Sequence, residues 1–283
     1  MSKKLLTLLG NLSKQNWVNE IVDYCDKYNI LIEYLEDTLY MPKVVPMIRG
    51  MAFEFSAMLV LKRVLSDKKW SVEKVPMNAQ LGLSDVDILV THKKSNKKIS
   101  IECKLASKES FKLSPDKRTM LRIKCMRSRT LGSAMIKQLA PKRRISEEML
   151  AVHNDQYLPG DFDVLITSIG NAFYRTNRQL NIFEWKPSRI ELKFLNRLFP
   201  NKKLEELKNL AFGKMYICSS KQLSISRKNK VACTRKKCNN KRSCGFIPNY
   251  PIISFQEKSL KPNWPWVEIN KADGVLKNLI KQK

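Results

Sequence analysis

Ser84-Asp85-Val86-Asp87-Ile88-Leu89-Val90, a polar turn from Thr91 to Lys98, and then Ile99-Ser100-Ile101-Glu102-Cys103-Lys104 form the stretch on which the fold turns. Both arms are short, rich in β-branched residues and bounded by polar ones, so the segment reads as a hairpin of two strands. Side chains alternate across a strand. Glu102 and Lys104 therefore share one face, while Ile101 and Cys103 share the other, where a core would take them. An antiparallel partner brings Asp87 near the same polar face, so that two carboxylates and an ammonium converge.

The flanks extend this reading. Upstream, Trp70 to Val75 reads as another strand, and Phe53, Phe55, Met58, Leu59, Leu61 and Val64 fall in helical register over Met51 to Leu65. Met41 to Pro46 carries two prolines and reads as a loop, and residues 1 to about 40 form a helical preamble by the spacing of Leu5, Leu6, Leu8, Leu9, Trp17, Ile21, Tyr24 and Ile30. Downstream, Ser107 to Arg129 is basic, and Leu131 to Leu139 is a helix stopped by Pro141. Phe162 to Ile169 is a near-continuous apolar run, as in a central strand covered on both faces. Arg189 to Phe212 is amphipathic, and a basic, cysteine-containing module follows from Met215 to about Phe255. The expected fold is α/β: a mixed central sheet flanked by helices, with a helical extension over 1–45, a core over 46–213 and a Cys-rich module with the C-terminal tail over 214–283.

The chain has 53 Lys and Arg against 26 Asp and Glu, a formal charge of +27 spread over several segments. A polyanion is the implied partner, because lysines and arginines that neutralise phosphates release condensed counterions; a ribosome-associated or merely basic protein is the other reading. No run approaches the roughly 18 apolar residues of a membrane span, and the opening apolar stretch is too short for a signal peptide, so an intracellular, cytoplasmic protein is expected. Seven cysteines, an odd number, then read as thiols or metal ligands rather than disulfides.

Hydrolysis of a phosphodiester needs a divalent cation to polarise the phosphoryl oxygen and lower the pKa of the attacking water, and hard oxygen ligands suit Mg²⁺. Asp87 and Glu102 are such ligands; Lys104 beside them can orient the water or stabilise charge developing on phosphorus. An ordinary hairpin with Glu and Lys facing solvent would carry the same letters. Context favours the site, since Gly50-Met51-Ala52-Phe53-Glu54 opens a helix upstream and apolar strands flank the motif.

In this order of elements, from Arg49 to Ser168, the chain resembles the PD-(D/E)xK nuclease superfamily, the fold of most type II restriction endonucleases and of archaeal Holliday junction resolvases. The resemblance implies that Glu54 is the helix carboxylate near the metal, Asp87 the central aspartate, and Glu102 and Lys104 the ExK pair. No proline precedes Asp87, and Asp85 lies on the same strand face. Either aspartate can thus be the ligand; Asp87 is preferred because the apolar run begins directly after it. Gln138, on the helix after the motif, either faces the site or is solvated.

Cys218, Cys233, Cys238 and Cys244 cluster late, with fourteen, four and five residues between them, and no CxxC knuckle. Four thiolates make a closed structural zinc site; unligated thiols and an iron–sulfur cluster, which some nucleases of this superfamily carry, are the alternatives. Lys221, Arg227, Lys228, Lys230, Arg235, Lys236, Lys237, Lys241 and Arg242 lie between the first and last of these cysteines with no acidic residue among them, which makes the module a candidate DNA contact. Lys117, Arg118, Arg122, Lys124, Arg127 and Arg129 form a second basic segment. The two histidines, His92 and His153, lie too far apart in sequence for the paired histidines of an HNH site, and neither a P-loop nor a deaminase signature is present. The expected activity is Mg²⁺-dependent cleavage of double-stranded DNA at a short specific sequence by a homodimeric type II restriction enzyme with a cognate methyltransferase. A structure-specific repair or recombination nuclease and a catalytically inactive DNA-binding protein of the same fold are the rivals.

Overall fold

Three hydrogen-bonded strands organise the protein: β1 (Trp70–Lys74), β2 (Ile88–His92) and β3 (Lys97–Leu105), a meander in which every pairing is antiparallel. The computed structural model describes residues 14–75, 86–177, 179 and 182–283. The β2–β3 turn closes at Asn96, a residue that tolerates the left-handed conformation (φ 51) found there. Ile88 faces Ile101 and Val90 faces Ile99 across the hairpin, all fully buried, which sets the register.

The chain then crosses over through β4 (Lys112–Leu113), β5 (Thr119–Arg122), α4 (Ser133–Arg143) and α5 (Glu147–Val152) to β6 (Val164–Ser168), which lies parallel to β3. A parallel partner requires such a long connection. All five residues of β6 are buried, as its apolar run implied. After the ribbon β7 (Tyr174–Asn177) and β8 (Ile182–Trp185) come α6 (Arg189–Leu198) and α7 (Leu204–Gly213), then β9 (Met215–Ser219), α8 (Ser220–Leu223), β10 (Ile252–Phe255), β11 (Val267–Glu268) and α9 (Ala272–Gln282). The main sheet has the order β1-β2-β3-β6-β9-β11, and β10-β5-β4 form a smaller one. The protein is therefore mixed α/β. The boundary expected at residue 213 falls inside the main sheet: β9 and β11 both lie beyond it, because β9 pairs with β6 over all five residues of each.

Ahead of the sheet run α1 (Lys14–Lys27), α2 (Leu35–Tyr40) and α3 (Val44–Val64); the preamble leucines before residue 14 lie outside the described residues. Helix α3 starts inside the segment expected as a loop, with Pro46 in its first turn, where its missing N–H is not needed. Its Phe53, Ala57 and Leu61 recur every four residues and pack, with α9, on the face of Ile88, Val90, Ile99, Ile101 and Cys103. By length and composition α3 is also apolar enough to cross a membrane, contrary to the expectation from sequence; 22% of that window is buried inside the protein. The other face of the sheet, with Leu165, Tyr216 and Cys218, is covered by a second cluster rich in aromatics, among them Phe173, Phe194, Phe255 and Trp266. Helix α4 continues through Pro141 to Arg143, so the proline does not stop it as expected; the helix ends at a left-handed Arg144.

Candidate active site and metal centre

The sequence-derived carboxylates meet where β1, β2 and β3 run side by side. Asp87 precedes β2 by one residue, yet its backbone is already locked: its N–H donates to the Ile101 carbonyl (3.1 Å) and its carbonyl accepts from Val75 N–H (3.2 Å). Its side chain is 4% exposed by residue, and Oδ2 accepts the backbone N–H of Cys103 at 2.7 Å. This amide sits between Glu102 and Lys104 on β3, so Asp87 is tied directly to the ExK strand. Glu102 is fully buried, and its Oε1 receives both the Lys104 ammonium (2.5 Å) and the Tyr157 hydroxyl (3.2 Å). Glu54 projects from α3, and its Oε2 lies 2.5 Å from Nζ of Lys74 at the end of β1.

The result is Asp87 between two lysine–carboxylate pairs. Burial pushes the Asp87 carboxyl up to about 6; Lys104 pulls it down, Glu54 pushes it up, and the Cys103 amide and Lys74 pull it down. Burial works against the Lys104 ammonium, but Glu102 and then Asp87 outweigh it and hold its pKa above the ordinary lysine value. Lys104 is thus a fixed cation at neutral pH and a poor proton acceptor. Three buried carboxylates that share one site are stable only with cations among them, and hard oxygen donors fit a divalent ion.

The second cluster departs from expectation. Nδ1 or Nε2 of His153 and the Sγ atoms of Cys233, Cys238 and Cys244 lie within 4.8 Å of one another, a set that could bind a metal such as zinc. Cys218, expected as the fourth ligand, is instead a core residue of β9, 1% exposed beneath the aromatic cluster. Its place is taken by His153, at the end of α5, whose Nε2 is buried with no hydrogen-bond partner among the described residues. Burial pushes the Cys244 thiol up to about 12 and raises Cys233 as well.

The basic segments divide in the same way. Arg127 is 8% exposed and ion-paired with Asp161, which also holds Arg143, so it is a structural cation and not a phosphate contact. Arg235 pairs with Asp155. Lys221, Arg227, Lys228, Lys230, Lys236, Lys237, Lys241 and Arg242 are exposed, as are Lys117, Arg118, Arg122, Lys124 and Arg129. Gln138 is exposed on α4, and Asp85 lies outside the described residues.

Lys74 and Tyr157 are site residues that sequence reasoning missed. Lys74 had a signal: Trp70, Val72 and Lys74 share one strand face, and a lysine in phase with two buried residues points inward. Comparison with protein-family models, with curated proteins and with solved structures found no match.

Proposed function

We propose that the protein is a Mg²⁺-dependent endonuclease that hydrolyses phosphodiester bonds of double-stranded DNA at a specific short sequence, in the manner of a type II restriction enzyme of the PD-(D/E)xK superfamily. The observation that carries this reading is the buried convergence of Asp87, Glu102, Lys104 and Glu54 on adjoining strands and a helix, in a chain of charge +27. Asp87 and Glu102, with Glu54 near, hold the cation. Mg²⁺ in that position would polarise the phosphoryl oxygen and lower the pKa of the attacking water. Lys104, kept protonated by Glu102, stabilises negative charge that develops on the phosphoryl group. The Cys103 amide and the Tyr157 hydroxyl orient Asp87 and Glu102.

Zinc is the proposed occupant of the His153, Cys233, Cys238 and Cys244 centre, as a closed structural site with no open position. The exposed lysines and arginines around it form the DNA-facing surface. Two active sites cut both strands of a symmetric sequence most simply in a homodimer, and the exposed apolar side chains of α1 to α3, among them Trp17, Tyr40, Met47 and Met51, are the surface proposed for the second copy. A cognate methyltransferase belongs to such a system, and the proposed setting is the cytoplasm.

Incubation of the purified protein with plasmid DNA and with synthetic four-way junctions, in Mg²⁺ or in EDTA, tests the reading. Discrete, Mg²⁺-dependent plasmid fragments are expected. Cleavage of junctions alone would assign a structure-specific nuclease, and DNA binding without cleavage in any divalent metal would overturn the enzyme reading.

A further inference from the structure

One short segment touches both centres. We propose that the metal held by His153, Cys233, Cys238 and Cys244 fixes the position of Tyr157, and that Tyr157 in turn holds Glu102 ready for its divalent cation. The proposal rests on the reading of Asp87 and Glu102 as a cation site.

The coupling begins at His153. Its Nδ1 is 2.5 Å from Oε1 of Gln156, an acceptor, so Nδ1 carries the proton and the lone pair of the buried Nε2 is left for a metal. The orientation of the Gln156 amide is set from its other end, where Nε2 donates to the Ile247 carbonyl at 2.9 Å. Ile247 follows Cys244 by three residues and donates its own N–H to the Tyr157 carbonyl at 2.8 Å. Phe246 stacks on the His153 ring at 4.2 Å. Arg235, between Cys233 and Cys238, pairs with Asp155 and reaches Gln156 Oε1 at 3.4 Å, while its backbone N–H points at Cys233 Sγ, also at 3.4 Å. Asn249 donates to the other oxygen of Asp155 at 2.7 Å. Residues 155–157 are thus held jointly by the cysteine module and by Arg127, whose backbone N–H and Nε donate to the carbonyls of Asp155 (3.0 Å) and Gln156 (3.1 Å).

Apart from the cysteines, that module is held by Ile225 and Phe246, which are buried against Ile136, Leu139 and Leu150 of α4 and α5. Between α8, which ends at Leu223, and β10, which begins at Ile252, there is no helix or strand. A connection of this length inside a compact fold needs a staple, and a four-ligand metal site is one.

At the far end of the segment the Tyr157 ring packs edge-on against Phe162 at 5.2 Å and beneath the Arg127 guanidinium at 4.7 Å, with Lys104 Nζ at 5.7 Å from its centroid. Its hydroxyl donates to Glu102 Oε1 at 3.2 Å. A donor to a carboxylate favours the ionised form and fixes its rotamer. Tyr157 is therefore a positioning residue, acting through Glu102.

The test uses full-length protein and needs no cleavage. Zinc is measured by plasma mass spectrometry, Mn²⁺ affinity by paramagnetic resonance as a function of pH, and folding by near-ultraviolet circular dichroism. One equivalent of zinc per chain is expected. Tyr157→Phe should keep the zinc and the fold yet weaken Mn²⁺ binding about 10-fold, the lower end for loss of a partner to a metal ligand, and move the pH of half-binding upward. Removal of zinc with a thiol-reactive reagent and chelator should weaken Mn²⁺ binding to the same degree, with no further loss when Tyr157→Phe is treated likewise. Wild-type Mn²⁺ affinity in Tyr157→Phe, or in zinc-stripped protein, overturns the coupling, as does purified protein without zinc. If the wild type binds no Mn²⁺, or Glu102→Gln binds it as well as the wild type, the cation-site reading fails together with the coupling. Mn²⁺ binding abolished in Glu102→Gln but intact in Tyr157→Phe removes the coupling alone.

Discussion

Substitution Asp87→Asn separates the cation site from an ordinary buried hairpin by a rise in stability. The aspartate carboxyl, 3.8 when solvated, is pushed up to about 6 by burial against the pull of Lys104. An acid whose folded-state pKa lies above its unfolded one holds its proton more tightly when folded. The stability it contributes is present below pH 3.8 and is lost as the pH climbs through about 6, above which the fold carries a buried charge. The gap between 3.8 and about 6 corresponds to about 3 kcal/mol at 1.36 kcal/mol for each pH unit. Asparagine keeps an oxygen to accept the 2.7 Å bond from Cys103 N–H and carries no charge. In EDTA at pH 8 the variant should therefore be more stable than the wild type by up to about 3 kcal/mol, roughly 6 °C in melting temperature. At pH 4, just above the solvated value, the difference should shrink to under about 1 kcal/mol. Saturating Mg²⁺ should restore the wild type, by about 2.7 kcal/mol at 100 times the dissociation constant, and do much less for the variant, which should also lose cleavage. Scanning calorimetry across pH 4 to 8, with EDTA and with Mg²⁺, measures all of this. A variant that melts below the wild type at pH 8 in EDTA, or whose advantage is as large at pH 4 as at pH 8, refutes the electrostatic argument.

Lys104→Ala should lower the cleavage rate by at least about 100-fold, the cost of removing one preorganised charge, and leave the dissociation constant for DNA in Ca²⁺ within a few-fold of wild type. The triple substitution of the exposed Lys236, Lys237 and Lys241 by alanine should weaken DNA binding and reduce the slope of log affinity against log salt by about 0.9 for each phosphate no longer neutralised; an unchanged slope would remove the module from the interface. Gly170→Ala should lower the urea midpoint by the equivalent of about 1–3 kcal/mol, since an added Cβ would sit 2.7 Å from the Phe212 backbone, too close for that chain to remain in place.

The parts of this protein that were legible in its sequence are those specified by period. Alternation along Ile99 to Lys104 separates core from site on one strand, and the fully apolar Val164 to Ile166 run declares a central strand. Glu54 came instead from the superfamily resemblance, since the helical register read from sequence also included Phe55 and Leu59, which are exposed, and so did not fix which side of α3 faces the sheet. The metal centre was not legible, because His153 stands eighty residues from Cys233, and only the packing of α5 on the module brings them together. Cys218 could have been set aside, however. It lies in Met215-Tyr216-Ile217-Cys218, an apolar run that reads as a buried strand and needs no metal. The basic segment around β5 could not be sorted from sequence for a related reason. Charge alone does not distinguish an exposed Lys124 from an Arg127 folded back onto Asp161, a partner 34 residues further along the chain that no periodic pattern announces.

The same electrostatics suggest why two lysines accompany three carboxylates. With Glu54, Asp87 and Glu102 ionised and Lys74 and Lys104 protonated, the site carries one net negative charge, and Asp87 is the carboxylate without a salt bridge among the described residues. A bound divalent cation reverses that to one net positive charge, and a DNA phosphate brings it to neutrality. Lys74 then matters as a brake on cation affinity. Lys74→Met leaves Glu54 buried beside Asp87 without its ammonium and removes a group that lowers the Asp87 pKa, so the fold in EDTA should weaken. Breaking such a pair costs about 3–5 kcal/mol when it is fully buried and less here, where the lysine side chain is 20% exposed. The stabilisation gained on adding Mn²⁺ should be correspondingly larger than in the wild type. Thermal denaturation of both proteins over a Mn²⁺ titration checks this, and an equal or smaller gain in Lys74→Met would show that Lys74 and Glu54 stand apart from the cation.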